Sequence, residues 1–292
     1  MSTNEVKNIA IIGAGNMGHQ LATLCALNGF TTTCTDVSAE ILKKADAFVD
    51  SYLKGRVQKG KLTEQQAKQA REDVRFMSSL EDAVKKSDYV IEAAVENLEL
   101  KRKIFADLDR FAPAHAILAT NSSRIVSSRI ADATKRPSKV CNLHFFNPAL
   151  VMKLVEVVNG PHCAKETIQV SIKLCEKLGK VSILLNKEID GFVLNRLLGA
   201  LTREALWLYE MGIASPEDID KACVYGAGYP MGPFRLMDLT GIDLEYFMRM
   251  EAFKNSGNQT DFPTPHVVEK FVKGEFGEKT GKGWYDHSGN KK

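Results

Sequence analysis

The chain has 292 residues, 39 of them basic and 36 acidic, for a net charge of +3, and 44% are hydrophobic. That length supports a substantial core and two domains. The charges are well mixed, so their balance points to neither nucleic acid nor membrane, and no apolar run approaches the ~18 residues of a membrane span.

Asn8-Ile9-Ala10-Ile11-Ile12 is a short apolar run suited to a buried parallel strand. It leads into Gly13-Ala14-Gly15-Asn16-Met17-Gly18, ahead of a helical pattern from His19 to Leu27. Gly13 permits a tight turn, Gly15 lets a pyrophosphate approach the backbone, and Gly18 allows close helix-to-strand packing. The helix N-terminus then meets the phosphates. A second strand, Thr31 to Thr35, ends in Asp36. A carboxylate there hydrogen-bonds an adenosine ribose and repels a 2′-phosphate, which favours NAD over NADP. The other reading of Asp36 is a helix cap before Val37, a task open to Ser38 as well.

Ala39 to Val57 has helical spacing, Lys59-Gly60-Lys61 interrupts it, and Thr63-Glu64-Gln65-Gln66 has capping-box form before a helix through Arg71. These signals predict a helical hairpin over about residues 38–72, inserted between strands and projecting from the sheet. Lys54, Arg56, Lys59 and Lys61 crowd its tip. Charge alone leaves two readings open there, a solvated face and a site for a phosphate-rich ligand.

Ser79-Leu80-Glu81-Asp82 caps another helix, Asp88 to Val95 reads as a strand, Leu98 to Phe111 as a helix, and His115 to Ala119 as a strand. That strand ends in Thr120-Asn121-Ser122-Ser123, small polar groups placed for a ligand at a strand's carboxyl end. A cap on the following helix accounts equally well for Ser122 or Ser123. Lys139 to His144 and Met152 to Val157 read as strands broken by Asn147-Pro148. If the chain folds back near Leu150, His144 and Glu156 fall opposite each other. A carboxylate there fixes the imidazole tautomer and stabilises the imidazolium that a general base forms. A structural histidine near a strand end is the plainer alternative.

Val181 to Leu185 closes the sheet region. Phe192 to Met211 is then a long apolar-periodic helix with Asn195 among its polar positions, and Ser215-Pro216 caps another. The remaining chain reads as helical, without a strand. The boundary is expected near Asn186 to Asp190, which divides the chain into residues 1–187 and 188–292. The fold class is α/β: a Rossmann-type doubly wound sheet with an inserted helical hairpin, followed by an all-helical C-terminal domain.

Cys25, Cys34, Cys141, Cys163, Cys175 and Cys223 lack CxxC spacing and mostly occupy apolar patterns. They read as reduced core thiols, not as a disulfide framework or a zinc site. With the first strand about eight residues from Met1, no leader peptide is expected, and the location expected is cytoplasmic.

Together these segments resemble the short-chain L-3-hydroxyacyl-CoA dehydrogenases, the bacterial 3-hydroxybutyryl-CoA dehydrogenases in particular. The likeness runs from Lys7 to about Asp286. It is carried by IIGAGNMG, IEAAVEN at residues 91–97, HFFNPALVMKLVEVV from His144, DGFVLNRLL from Asp190, GAGYPMGPFRLMDLTGID from Gly226 and FGEKTGKGWYD from Phe276.

The resemblance implies an acyl-CoA substrate, NAD as cofactor, no metal, and a homodimer formed through the helical domain. It makes His144 the general acid/base at the substrate's 3-hydroxyl and Glu156 its orienting partner, with Ser123 and Asn195 holding the reacting part of the substrate. Glu96, Lys101, Ser123 and Asn147 fall where the family has cofactor contacts, beside Asp36 and Gly13, Gly15, Asn16, Met17 and Gly18. Lys59 matches a basic position that meets the coenzyme A portion.

Three departures stand out. Arg124 follows Ser123 where the family has a smaller residue, Tyr52 stands where a serine is common, and Asp190 replaces a common proline. Two other functions remain in play. An NAD dehydrogenase of a free hydroxy or sugar acid would share the glycine loop and the histidine–glutamate pair, but Lys59 and its neighbours argue against it. A non-catalytic, crystallin-like relative is opposed by the intact set Ser123, His144, Glu156 and Asn195.

Overall fold

A computed structural model describes residues 6–290. The chain divides into two compact units, Met1–Val193 and Leu194–Lys292.

The first unit is built on eight strands: β1 (Asn8–Ile12), β2 (Thr31–Thr35), β3 (Val74–Met77), β4 (Tyr89–Glu92), β5 (Ile117–Thr120), β6 (Val140–Phe145), β7 (Leu154–Val158) and β8 (Val181–Leu185). They form one sheet in the order β3-β2-β1-β4-β5-β6-β7-β8, parallel throughout except for the antiparallel β6–β7 pair. The first six follow the order of a Rossmann sheet, with its topological switch between β1 and β4. β3 escapes sequence pattern reading. It is a four-residue edge strand separated from the preceding helix by Asp73 alone, and Arg75 interrupts its apolar character.

The period-two alternation of each strand fills two cores. Ile9, Ile11, Tyr89, Ile91, Cys141, Leu143 and Phe145 share one core with helices α1 (Asn16–Leu27), α2 (Ala39–Gln58), α3 (Glu64–Glu72) and, later in the chain, α7 (Lys165–Lys177). Ala10, Ile12, Val90, Leu118 and Val140 share the other with α4 (Leu80–Val84), α5 (Leu98–Phe111) and the short α6 (Ser128–Ala131).

Helices α2 and α3 are the expected hairpin. Ser38 caps α2 through Ile41 N–H at 3.3 Å. Thr63 and Gln66 cap α3 reciprocally at 3.1 and 2.9 Å, a capping box. Ala45, Val49, Leu53 and Ala70 anchor the hairpin in the first core.

The second unit contains α8 (Leu194–Glu210), α9 (Pro216–Lys221) running into a π-helical turn at Ala222–Gly226, α10 (Pro233–Thr240), α11 (Ile242–Ser256) and α12 (Pro265–Lys273). Ala205, Leu206, Ile219, Phe234, Met237, Ile242 and Val267 form its core. Two buried carboxylates staple it. Asp220 accepts from Phe234 N–H, Arg235 N–H and the Tyr285 hydroxyl, at 2.9, 2.9 and 2.7 Å. Asp238 accepts from Trp284 N–H, Tyr285 N–H and His287 Nε2 at 2.8, 2.9 and 2.7 Å. Gly277 and Gly283 both lie where a Cβ would run into Asp238. The two C-terminal sequence motifs therefore serve packing: they bring glycines and buried acids together.

The chain segment after β8 stays with the first unit beyond the expected boundary. Phe192 is fully buried against Val158 and Leu185, and Val193 N–H donates to Glu156 Oε1 at 3.0 Å.

Candidate active site

Because β1, β4, β5 and β6 run parallel, their carboxyl ends open on one edge of the sheet, where four loops meet. After β1, Gly13 adopts φ +95° and packs so closely on the turn after β4 that a Cβ would lie 2.9 Å from Ala93 O. A Cβ on Gly18 would collide with Gly13 O, so the start of α1 requires glycine there. Gly15 has open space around its α-carbon, and α1 begins after it without a side-chain cap. The loop thus presents uncapped backbone N–H groups to any anion that approaches.

Asp36 holds this loop from the end of β2. Its Oδ2 accepts from Ala14 N–H and its Oδ1 from Ser38 N–H, both at 2.9 Å. Asp36 thus closes the turn leading into α2, while Ser38 makes the cap itself. His19 lies within α1, its ring 4.3 Å from that of Phe48. Burial depresses its pKa, against a smaller opposing effect of the Ala14 and Gly15 backbone. The imidazole is accordingly neutral near pH 7 and adds no cation to the loop.

The loop after β4 is fixed from beneath. Lys101 is buried, its ammonium 2.7 and 2.9 Å from the two oxygens of fully buried Glu92. Glu92 also accepts from Ala94 N–H and the Thr120 hydroxyl, both at 2.7 Å. Glu96 Oε2 lies 3.6 Å from the same ammonium, while its Oε1 takes the Ser122 hydroxyl and, at 3.3 Å, the N–H groups of Arg124 and Ile125. Ser122 therefore closes a turn, and the cap position of α6 falls to Ser127. Ser123 lies in that turn, half-buried, followed by half-buried Arg124. Asn121 Oδ1 accepts from Phe145 N–H at 2.8 Å, which ties this loop to the end of β6.

At that end stands His144. Alternation sends Leu143 and Phe145 to the first core, and Asn142 and His144 to the opposite face. Across the antiparallel pair, His144 is the register partner of Glu156. Its Nδ1 lies 2.8 Å from Glu156 Oε2, and both residues are buried. An ionised carboxylate at Nδ1 holds the ring proton there and leaves Nε2 with a lone pair. Phe146 and Phe192 flank the imidazole, with ring centroids at 4.5 and 5.4 Å. The ring of loops closes at Asn147, whose Oδ1 accepts from Asn16 at 3.1 Å and from Gln20 at 3.3 Å.

Gly13, Gly15, Asn16, Met17, Gly18, Asp36, Glu96, Lys101, Ser123, His144, Asn147 and Glu156 thus all belong to these loops or to the strands and helices they join. Lys59 caps the C-terminus of α2 at the exposed hairpin tip with Lys54 and Lys61. Among the described residues no side-chain hydrogen bond joins it to the loops. Tyr52 stacks on Phe48 at 5.8 Å, which gives it a packing role on α2. Asn195 is the second residue of α8, in the other unit, and is exposed. Glu92 and Phe192 are additions that the site itself supplies. An acid within the buried run of β4 is the signal that would have found the first.

The sequence model of the 3-hydroxyacyl-CoA dehydrogenase NAD binding domain matches residues 8–189, and that of the C-terminal domain of the same enzymes matches residues 191–287. The chain belongs to the 3-hydroxyacyl-CoA dehydrogenase family. It is an NAD-dependent oxidoreductase.

The chain is 39% identical over 291 residues to the mitochondrial hydroxyacyl-coenzyme A dehydrogenase of Rattus norvegicus, covering 97% of this chain and 91% of that one. It is 37% identical to the probable 3-hydroxybutyryl-CoA dehydrogenase of Bacillus subtilis, over 97% and 98% of the two chains. The crystal structure of (S)-3-hydroxybutyryl-CoA dehydrogenase from Ralstonia eutropha superposes with a TM-score of 0.89 at 34% identity, over 97% and 99%. The family's NAD fits what the loops offer: glycines where a Cβ would collide, uncapped N–H groups on α1, and a carboxylate at the end of β2. Among the described residues, no helix is long and apolar enough to cross a membrane.

Proposed function

We propose that this enzyme interconverts short-chain L-3-hydroxyacyl-CoA and 3-oxoacyl-CoA esters, with 3-hydroxybutyryl-CoA the representative substrate. The observation that carries this reading is the buried His144–Glu156 pair at the rim of the cofactor loops. In oxidation the Nε2 lone pair of His144 takes the proton of the 3-hydroxyl; in reduction the imidazolium returns it to the 3-oxygen. NAD, when bound, accepts or returns the hydride. Glu156 compensates the imidazolium charge and holds the ring so that Nε2, not Nδ1, meets the substrate. The Gly13–Gly18 turn holds the pyrophosphate and Asp36 the adenosine ribose, with Glu96 and Asn147 completing the pocket wall. Lys101 acts there by fixing the loop, its ammonium being committed to Glu92.

Ser123 holds the reacting end of the substrate, and Lys59 with its basic neighbours meets the coenzyme A phosphates. The short acyl chain is supported by the names of the Bacillus and Ralstonia relatives. We further propose a homodimer through the second unit. Trp207, Leu239 and Phe247, on α8, α10 and α11, each expose half or more of their surface, apolar area that a second copy would cover. All six cysteines are free and four are buried, which supports a reducing, cytoplasmic location.

A panel of 3-oxoacyl-CoA esters from acetoacetyl-CoA upward, assayed with NADH and with NADPH, tests the reading. Highest kcat/KM for acetoacetyl-CoA with NADH is expected. A free 3-oxo acid turned over as well as its thioester contradicts it.

A further inference from the structure

Phe192 is the one non-glycine residue with positive φ among those described, at +49°, and it follows Gly191 at +71°. A bulky aromatic side chain rarely adopts this backbone, which crowds its Cβ, so the surroundings must enforce it. Two contacts show what the turn achieves. The Phe192 ring is fully buried with its centroid 5.4 Å from that of the His144 imidazole, which also has the Phe146 ring at 4.5 Å. The next residue directs its N–H at the Glu156 carboxylate, so that Val193 N–H serves Oε1 at 3.0 Å while His144 Nδ1 serves Oε2 at 2.8 Å.

We propose that Gly191-Phe192-Val193 is a positioning element for the proton-transfer pair: Phe192 sets the tilt of the imidazole and Val193 N–H fixes the rotation of the Glu156 carboxylate. This rests on the reading of His144 and Glu156 as that pair. The terminal torsion of a glutamate is broad, and a rotating carboxylate would carry the imidazole with it. The Val193 N–H on Oε1 works against that rotation and so helps define where Nε2 lies. The left-handed turn brings a main-chain donor to Oε1, and Gly191 gives the chain the freedom to enter it. Val193 also ends the first unit, two residues before Asn195 in the chain.

The test is a double-mutant cycle of Phe192→Ala with Glu156→Gln, reading kcat, KM for acetoacetyl-CoA, and NADH affinity by fluorescence. Phe192→Ala is expected to lower kcat about 10- to 100-fold, with KM for acetoacetyl-CoA and NADH affinity each within about twofold of wild type, a split between kcat and KM that a general loss of structure would not give. The double variant should lose little beyond Glu156→Gln alone, because both act on one geometry. Should Phe192→Ala fail to bind NADH, Phe192→Leu keeps the core filled and carries the same comparison. Multiplicative losses, or a kcat within threefold of wild type, would overturn the proposal. A Glu156→Gln variant of unchanged activity would instead remove the reading on which it rests.

Discussion

His144 and Glu156 are register partners across the sheet's antiparallel strand pair, and their side chains meet at 2.8 Å with Glu156 wholly buried. Oxidation needs the imidazole neutral and reduction needs it protonated. Glu156→Gln removes the charge that offsets the imidazolium and the acceptor that orients the ring, and is therefore expected to slow turnover about tenfold or more, with NADH affinity nearly unchanged. Wild-type turnover in a folded variant would mean that Glu156 does not act with His144.

Asp36 serves two backbone N–H groups at the mouth of the glycine loop, so its loss acts on the loop as well as on the proposed ribose contact. Asp36→Ala should raise the KM for NADH about tenfold or more, in line with ~1.5–3 kcal/mol for a charged hydrogen bond. The KM for NADPH should rise less, because repulsion of the 2′-phosphate disappears at the same time. Steady-state kinetics with both cofactors measures the ratio; a wild-type preference for NADPH contradicts the assignment.

Lys59 lies exposed at the tip of the hairpin among other cations. If it meets coenzyme A phosphates, Lys59→Ala raises the KM for acetoacetyl-CoA more than that for the N-acetylcysteamine thioester, and salt weakens wild-type binding to the former. Equal effects on the two thioesters would identify the cluster as a solvated face.

Glu92 and Lys101 form a buried pair in which Glu92 also serves the Ala94 N–H and the Thr120 hydroxyl. Glu92→Gln leaves the buried ammonium only the more distant Glu96 carboxylate at 3.6 Å and should cost up to about 3–5 kcal/mol in urea unfolding of the first unit. NADH affinity should fall with it, since the loop after β4 loses its anchor. Wild-type stability in this variant would show that Lys101 finds a partner elsewhere.

Much of this was legible in short-range pattern. The strand, the glycine turn and α1 are contiguous, and the steric needs of Gly13 and Gly18 follow from that motif alone. The His144–Glu156 pairing was also readable, because two alternating strands separated by Asn147-Pro148 leave few ways to fold back. What stayed hidden is non-local. Thr120, Asn121 and Ser122 read as ligand-binding groups, yet their partners are Glu92, Phe145 and Glu96 on neighbouring strands and loops. Asp73 alone separates β3 from α3, and pairing with β2 supplies what the composition of β3 does not. The left-handed Phe192 leaves no trace in composition, since only tertiary packing holds it there.

The central claim is that His144 moves the proton. His144→Gln, assayed with acetoacetyl-CoA at the nicotinamide absorbance band and with NADH binding measured separately, tests it most directly. Turnover should fall about 10²- to 10⁴-fold with NADH affinity nearly intact, because the glycine loop and Asp36 are untouched. Turnover within tenfold of wild type would place the acid/base elsewhere.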